Sequence, residues 1–149
     1  MISYNLLPLE LLEEVFKRVQ AHVPDGLRDP RAFYAFCASQ GTVLFEVGDF
    51  GGVFWLANAV VGKRATIHVV LWDPDCLGKP QRAAQIVRDV FNMWKLRRLD
   101  AFVPATNLRA CKYAARVGFQ LEGILRKADT YDGKTTDIAV YSLTKEEVL

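Results

Sequence analysis

The stretch 76–85, CLGKPQRAAQ, places Gly78, Lys79, Gln81 and Arg82 between an apolar run and a run of helical period. Backbone N–H groups at a helix start, a glycine that lets an anion come close and neighbouring cations are the parts of a phosphate cradle. Pro80 interrupts the set, because it has no N–H to donate; it is equally a normal first residue of a helix. Upstream, His68 has an imidazole whose ordinary pKa suits proton transfer. A histidine packed or hydrogen-bonded within a sheet is the alternative reading of that residue. Cys76 and Cys111 invite a nucleophile reading, but neither has a His or Asp close in sequence, and Cys111 falls on an apolar stripe, where packing explains it.

These residues need elements to hold them. Leu9, Leu12, Phe16, Val19 and Val23 recur at helical spacing from near Pro8, and 28–41 gives a second, shorter helix closed by Gly41. The texture then turns to strands at 42–47, 52–61 and 65–72, separated by turn signals, which predicts an antiparallel meander. In that meander, the apolar run 51–61 reads as a buried central strand, the alternative being an edge that seeks a partner. Helical period returns over 81–96, with Ala83, Val87, Val90, Phe91 and Trp94 on one stripe. A strand at 99–105 precedes a helix from Asn107 to Val117, in which Leu108, Cys111 and Ala115 are expected to face inward. Strands 119–131 and 134–143 close on Asp132-Gly133, a favoured two-residue hairpin turn. A short leading strand at 2–6 completes the order.

The length of 149 residues, with 51% hydrophobic and 24% charged, suits one domain over 1–149. A net charge of +2 is too small to argue for a nucleic-acid partner. The basic run 95–98 ends a predicted helix and complements its dipole. Three widely spaced cysteines match neither a zinc site nor a disulfide framework. Glu10, Glu13 and Glu14 argue against a signal peptide, and no apolar run reaches membrane-spanning length. The expectation is a cytoplasmic protein with no metal, no membrane and no nucleic acid.

The element order and two stretches resemble the GNAT superfamily of N-acetyltransferases, most nearly the type that acetylates the N-termini of ribosomal proteins. The first stretch is 107–143, where Asn107, Gly118-Phe119, Glu122-Gly123, Arg126, Gly133, Asp137 and Tyr141 to Leu143 fall in register with that type. The second is 69–84, which lies where the superfamily carries its coenzyme loop, Q/R-x-x-G-x-G/A after Asp-Pro. Aligning Asp73-Pro74 puts Leu77, Pro80 and Arg82 at the three signature positions, and all three depart.

The resemblance implies an α/β fold of the α+β kind, the GNAT fold: a mixed, mostly antiparallel twisted sheet flanked by helices. The strands ending at Trp72 and Ala105 would lie side by side and splay apart. It implies acetyl-CoA as cofactor, with the backbone of Val70, Leu71 and Trp72 meeting the thioester and the loop from Leu77 through Gly78, Lys79, Pro80 and Gln81 to Arg82 meeting the pyrophosphate. His68 stands where some arylalkylamine acetyltransferases carry a proton-relaying His. Asn107 either touches the coenzyme or only caps its helix. Many members place a Tyr where Ala114 stands here; Tyr113, one residue earlier, is turned by about 100° on a helix and is expected to point elsewhere. The acceptor would be an amine on a small molecule or a protein N-terminus. The alternative is a catalytically inactive, virion-associated assembly part with a protein partner, because GNAT-like head-assembly proteins of short-tailed phages are similar in size.

Overall fold

The computed structural model describes residues 4–6, 12–37, 43–47, 52–71 and 80–148. The strands are β1 (Tyr4–Leu6), β2 (Val43–Val47), β3 (Gly52–Val60), β4 (Arg64–Leu71), β5 (Arg98–Pro104), β6 (Gln120–Tyr131) and β7 (Lys134–Thr144). The helices are α1 (Leu12–Val19), α2 (Pro30–Cys37), α3 (Pro80–Trp94) and α4 (Leu108–Val117). The expected ends near Pro8 and Gly41 lie outside the described residues.

β3 explains the sheet. Phe54, Trp55, Leu56 and Ala57 are consecutive and all buried, so both faces of the strand are covered, as befits a central strand. The sheet has seven strands in the order β1-β2-β3-β4-β5-β7-β6. Every pairing is antiparallel except β4 with β5. The meander, the short leading strand and the central position of β3 are thus as the sequence suggests.

The strand-helix-strand unit β4-α3-β5 makes the parallel pair, and α3 crosses one face of the sheet. Its Ala83, Ile86, Val87, Val90 and Phe91 form one core with Phe54, Leu56, Ile67, Leu99 and Tyr141. On the other face, Phe16 and Val19 of α1, Val23 of the segment that follows it and Phe33 of α2 form a second core with Trp55. The rings of Phe33 and Trp55 meet edge to face at 6.4 Å. α3 stops at Trp94 because Lys95 turns to φ 54°. The run 95–98 therefore does not end the helix as a cationic cap: Leu96 is fully buried, and Arg98 opens β5, where it pairs with Asp100 and Glu122.

α4 is defined at both ends. The Asn107 side chain accepts from the Ala110 N–H at 3.1 Å, and Gly118 closes the helix at φ 117°, in the left-handed region. The inward stripe differs from the expected one. Leu108 is 67% exposed and Ala115 is exposed, while Cys111, Tyr113, Ala114 and Val117 pack on the core. Leu108 is the first residue of the helix.

The β6–β7 turn has Asp132 at φ 54° and Gly133 at φ 75°, the two positive values that a two-residue hairpin turn of this type needs. Nothing lies within 4 Å of a Cβ built on Gly133, so backbone conformation alone selects glycine. Replacing Gly133 by Val should cost about 1 kcal/mol or more and lower the melting temperature by a few degrees, whereas Gly133→Asn should cost less. A thermal melt that leaves Gly133→Val unchanged would contradict the turn assignment.

Candidate active site

β4 and β5 are each paired along their length on the outer side, β4 with β3 and β5 with β7. Between them only Arg64, Ala65 and Thr66 meet Arg98, Leu99 and Asp100. Beyond those residues the strands part, which is the splay expected from the sequence. The opening is a slot of about 780 Å³. It runs through the sheet, because successive residues of a strand point to opposite faces. Ile67 belongs to the α3 side, where Ala83, Ile86, Ala110 and Ala114 also line the slot. His68 belongs to the other side, with Trp55 and Phe36.

His68 faces Trp55 across β3 and β4, and the two rings stack at 5.2 Å with 14° between planes. The Phe36 ring stands edge-on to His68 at 6.3 Å. Burial lowers the His68 pKa to about 4, so at neutral pH the ring is uncharged and keeps an acceptor nitrogen. It is packed as a sheet histidine, and it also lines the slot. The indole N–H of Trp55 has no hydrogen-bond partner among the described residues.

Val70 and Leu71 are the last two residues of β4. Trp72, Leu77, Gly78 and Lys79 lie outside the described residues, as does Cys76. Pro80 is the first residue of α3, the structural role open to it from sequence. Gln81 is exposed, and Arg82 is half-buried on the first turn with no ion pair among the described residues. Asn107 caps α4 and lines the slot. Tyr113 does not point elsewhere: it lines the slot together with Ala114, because α4 presents a wide face to the opening. Cys111 is half-buried with Sγ 3.8 Å from the Pro104 carbonyl oxygen, consistent with packing.

Several lining residues carry no sequence signal. Tyr131, Asp129 and Asp132 come from the hairpin, and Arg28 comes from the segment before α2. Asp25 ties these parts together, because its carboxylate accepts from the N–H of Asp132 at 2.9 Å and of Gly133 at 2.8 Å. Arg28 donates to Asp132 and to the carbonyl oxygen of Val23. Burial, with Asp129 nearby, raises the Tyr131 pKa to about 12, so the phenol keeps its proton. Among the described residues no helix is long and apolar enough to cross a membrane, and no acidic, His and Cys group could hold a metal ion.

A sheet whose one parallel pair opens into a slot, with a helix starting at its mouth, is the GNAT fold. Solved structures of spermidine N-acetyltransferase from Vibrio cholerae are similar over nearly all of both chains. A point mutant matches at a TM-score of 0.79 and 14% identity, covering 99% of this chain and 97% of that one. The complex of that enzyme with CoA and spermine matches at 0.76, with 14% identity and coverages of 99% and 97%. A dodecameric form matches at 0.75, with 14% identity and coverages of 99% and 96%. At this identity the likeness is one of fold. No family model matches the sequence, and no curated protein matches it.

The His68 shift has a consequence for stability. The folded pKa of about 4 lies below the ordinary 6.5, so the unfolded chain takes up the proton first as pH falls. The contribution is fully present above 6.5 and is lost between 6.5 and about 4. His68→Phe keeps a ring against Trp55 and should flatten that acid-side loss in urea unfolding followed across the window. An equal loss in both proteins would show that His68 is not the group responsible.

Proposed function

We propose that this chain is an acyl-CoA-dependent N-acetyltransferase acting on a primary amine. The observation that carries the reading is the slot, where two strands keep their outer partners and leave their facing edges, 67–71 and 101–104, without a strand partner among the described residues. Unpaired backbone groups along such an edge suit the amide-bearing chain of coenzyme A. The likeness in fold to an enzyme solved with CoA and spermine supports the same reading.

In this proposal the backbone of Val70, Leu71 and Trp72 meets the thioester, and Gly78, Lys79, Gln81 and Arg82 meet the pyrophosphate at the start of α3. At positions of the same loop, Leu77 offers the anion no side-chain donor and Pro80 no N–H. The coenzyme, when bound, supplies the activated acetyl group. The transfer forms a bond from the amine nitrogen to the acetyl carbon, breaks the carbon–sulfur bond and leaves the amine proton on sulfur. His68, uncharged at neutral pH, can accept that proton in passing; its low pKa suits a relay rather than a store. Asn107 holds the start of α4 in place through its cap and lines the slot. The acceptor is a small amine or the N-terminus of a protein such as a ribosomal protein.

One observation favours a second reading, an inactive assembly part, as in the phage head-assembly comparison. Pro80 takes the first helical position and brings no N–H to the anion site. A missing charge-assisted hydrogen bond costs about 1.5–3 kcal/mol, or roughly one to two decades in affinity.

Calorimetry with acetyl-CoA separates the two readings. The native chain should bind weakly, and Leu77→Arg with Pro80→Gly should tighten binding about tenfold or more. Detectable amine acetylation by the native chain supports the enzyme. Neither binding nor acetylation in native or restored protein would overturn the enzyme reading and favour the assembly part.

A further inference from the structure

The half of the slot on the α1–α2 side has a chemistry of its own. His68 and Phe36 form its wall, with Trp55 stacked behind His68 at 5.2 Å. Phe102, 40% exposed, and Tyr131, held as the neutral phenol, add two more rings. The charged side chains lining the slot among the described residues are Arg28, Arg109, Asp129 and Asp132, two of each sign. One of the two carboxylates is already spent. Asp132 is paired with the Arg28 guanidinium, which also lies 3.4 Å from Asp25 and donates to the Ala21 and Val23 carbonyl oxygens. Asp129 is left as the one lining carboxylate without a cation against it among the described residues.

A chain of several ammonium groups needs carboxylates spaced along its path, because each cation loses water on entry. Among the described residues this wall offers Asp129 alone, because the Asp132 carboxylate is taken up by Arg28. A single ammonium attached to a flat apolar body fits better: the body lies against the rings, and the charge meets the aromatic faces and Asp129. We propose that the acceptor is a primary monoamine with an aromatic body, and that the site discriminates against polyamines. The inference rests on the acetyltransferase reading for its chemistry but not for its recognition, which concerns the wall alone. It also sets this chain apart from the fold neighbour solved with spermine.

The test is ligand-observed NMR titration of the full chain with phenethylamine, with the tripeptide Phe-Ala-Ala and with spermidine, each with and without coenzyme A. Phenethylamine or the tripeptide should bind at least about tenfold more tightly than spermidine. Tighter binding of the tripeptide identifies a peptide N-terminus as the source, and tighter binding of phenethylamine a small molecule; either supports the aromatic class. Phe36→Leu should weaken the aromatic amines severalfold. Arg28→Gln, which frees the Asp132 and Asp25 carboxylates, should narrow the preference over spermidine. If coenzyme A does not bind but the aromatic amine still does, the enzyme reading fails and this one stands. Spermidine binding as tightly as phenethylamine and the tripeptide, or no amine binding under either condition, overturns the inference.

Discussion

The structure depends on an incomplete pairing. β4 and β5 share three residue pairs and then separate, although each continues as a fully paired strand on its other edge. Two contacts hold them apart. On one face α3 and α4 pack against Ile67 of β4 and Val103 of β5. On the other, the ring of His68 is stacked on Trp55 of β3. Closing the slot would bury the facing edges against each other but would expel the side chains that now line it. The opening is therefore a property of the core, and the candidate chemistry follows from it.

Much of the fold was legible because its signals are local. The Asp-Gly turn, the Asn107 cap, the Gly118 stop and the period of α3 are each set within a few residues. The C-terminal stretch that carries the family resemblance turns out to be largely architectural. Glu122 accepts from the Ser142 hydroxyl and pairs with Arg98, joining β5, β6 and β7. Asp137 accepts from the N–H of Lys127, which sits at φ 52° where β6 bulges. Phe119 and Tyr141 are core side chains. A pattern made of such residues specifies the scaffold strongly and the reaction hardly at all.

The site was less legible because it is assembled across the chain. Asp25 and the Asp132-Gly133 turn are joined over more than a hundred residues, and no periodicity announces such a contact. The aromatic wall draws on α2, β3, β4 and β5, and each contributor reads in sequence as an ordinary apolar residue or a lone histidine. Tyr113 was misjudged for a related reason: a helical wheel gives the angle between neighbours but not the width of the surface they meet. Leu108 shows the converse, since its apolar character placed it inside while the sheet edge leaves it outside.

A crystal structure of the chain with coenzyme A tests the central claim most directly, that the gap between β4 and β5 is a binding site made by the fold. The account predicts electron density for the pantetheine chain between 67–71 and 101–104, hydrogen-bonded to the strand edges, with the two strands as far apart as they are without it. Coenzyme bound elsewhere on the surface, or β4 and β5 zipped together along those residues, would contradict it.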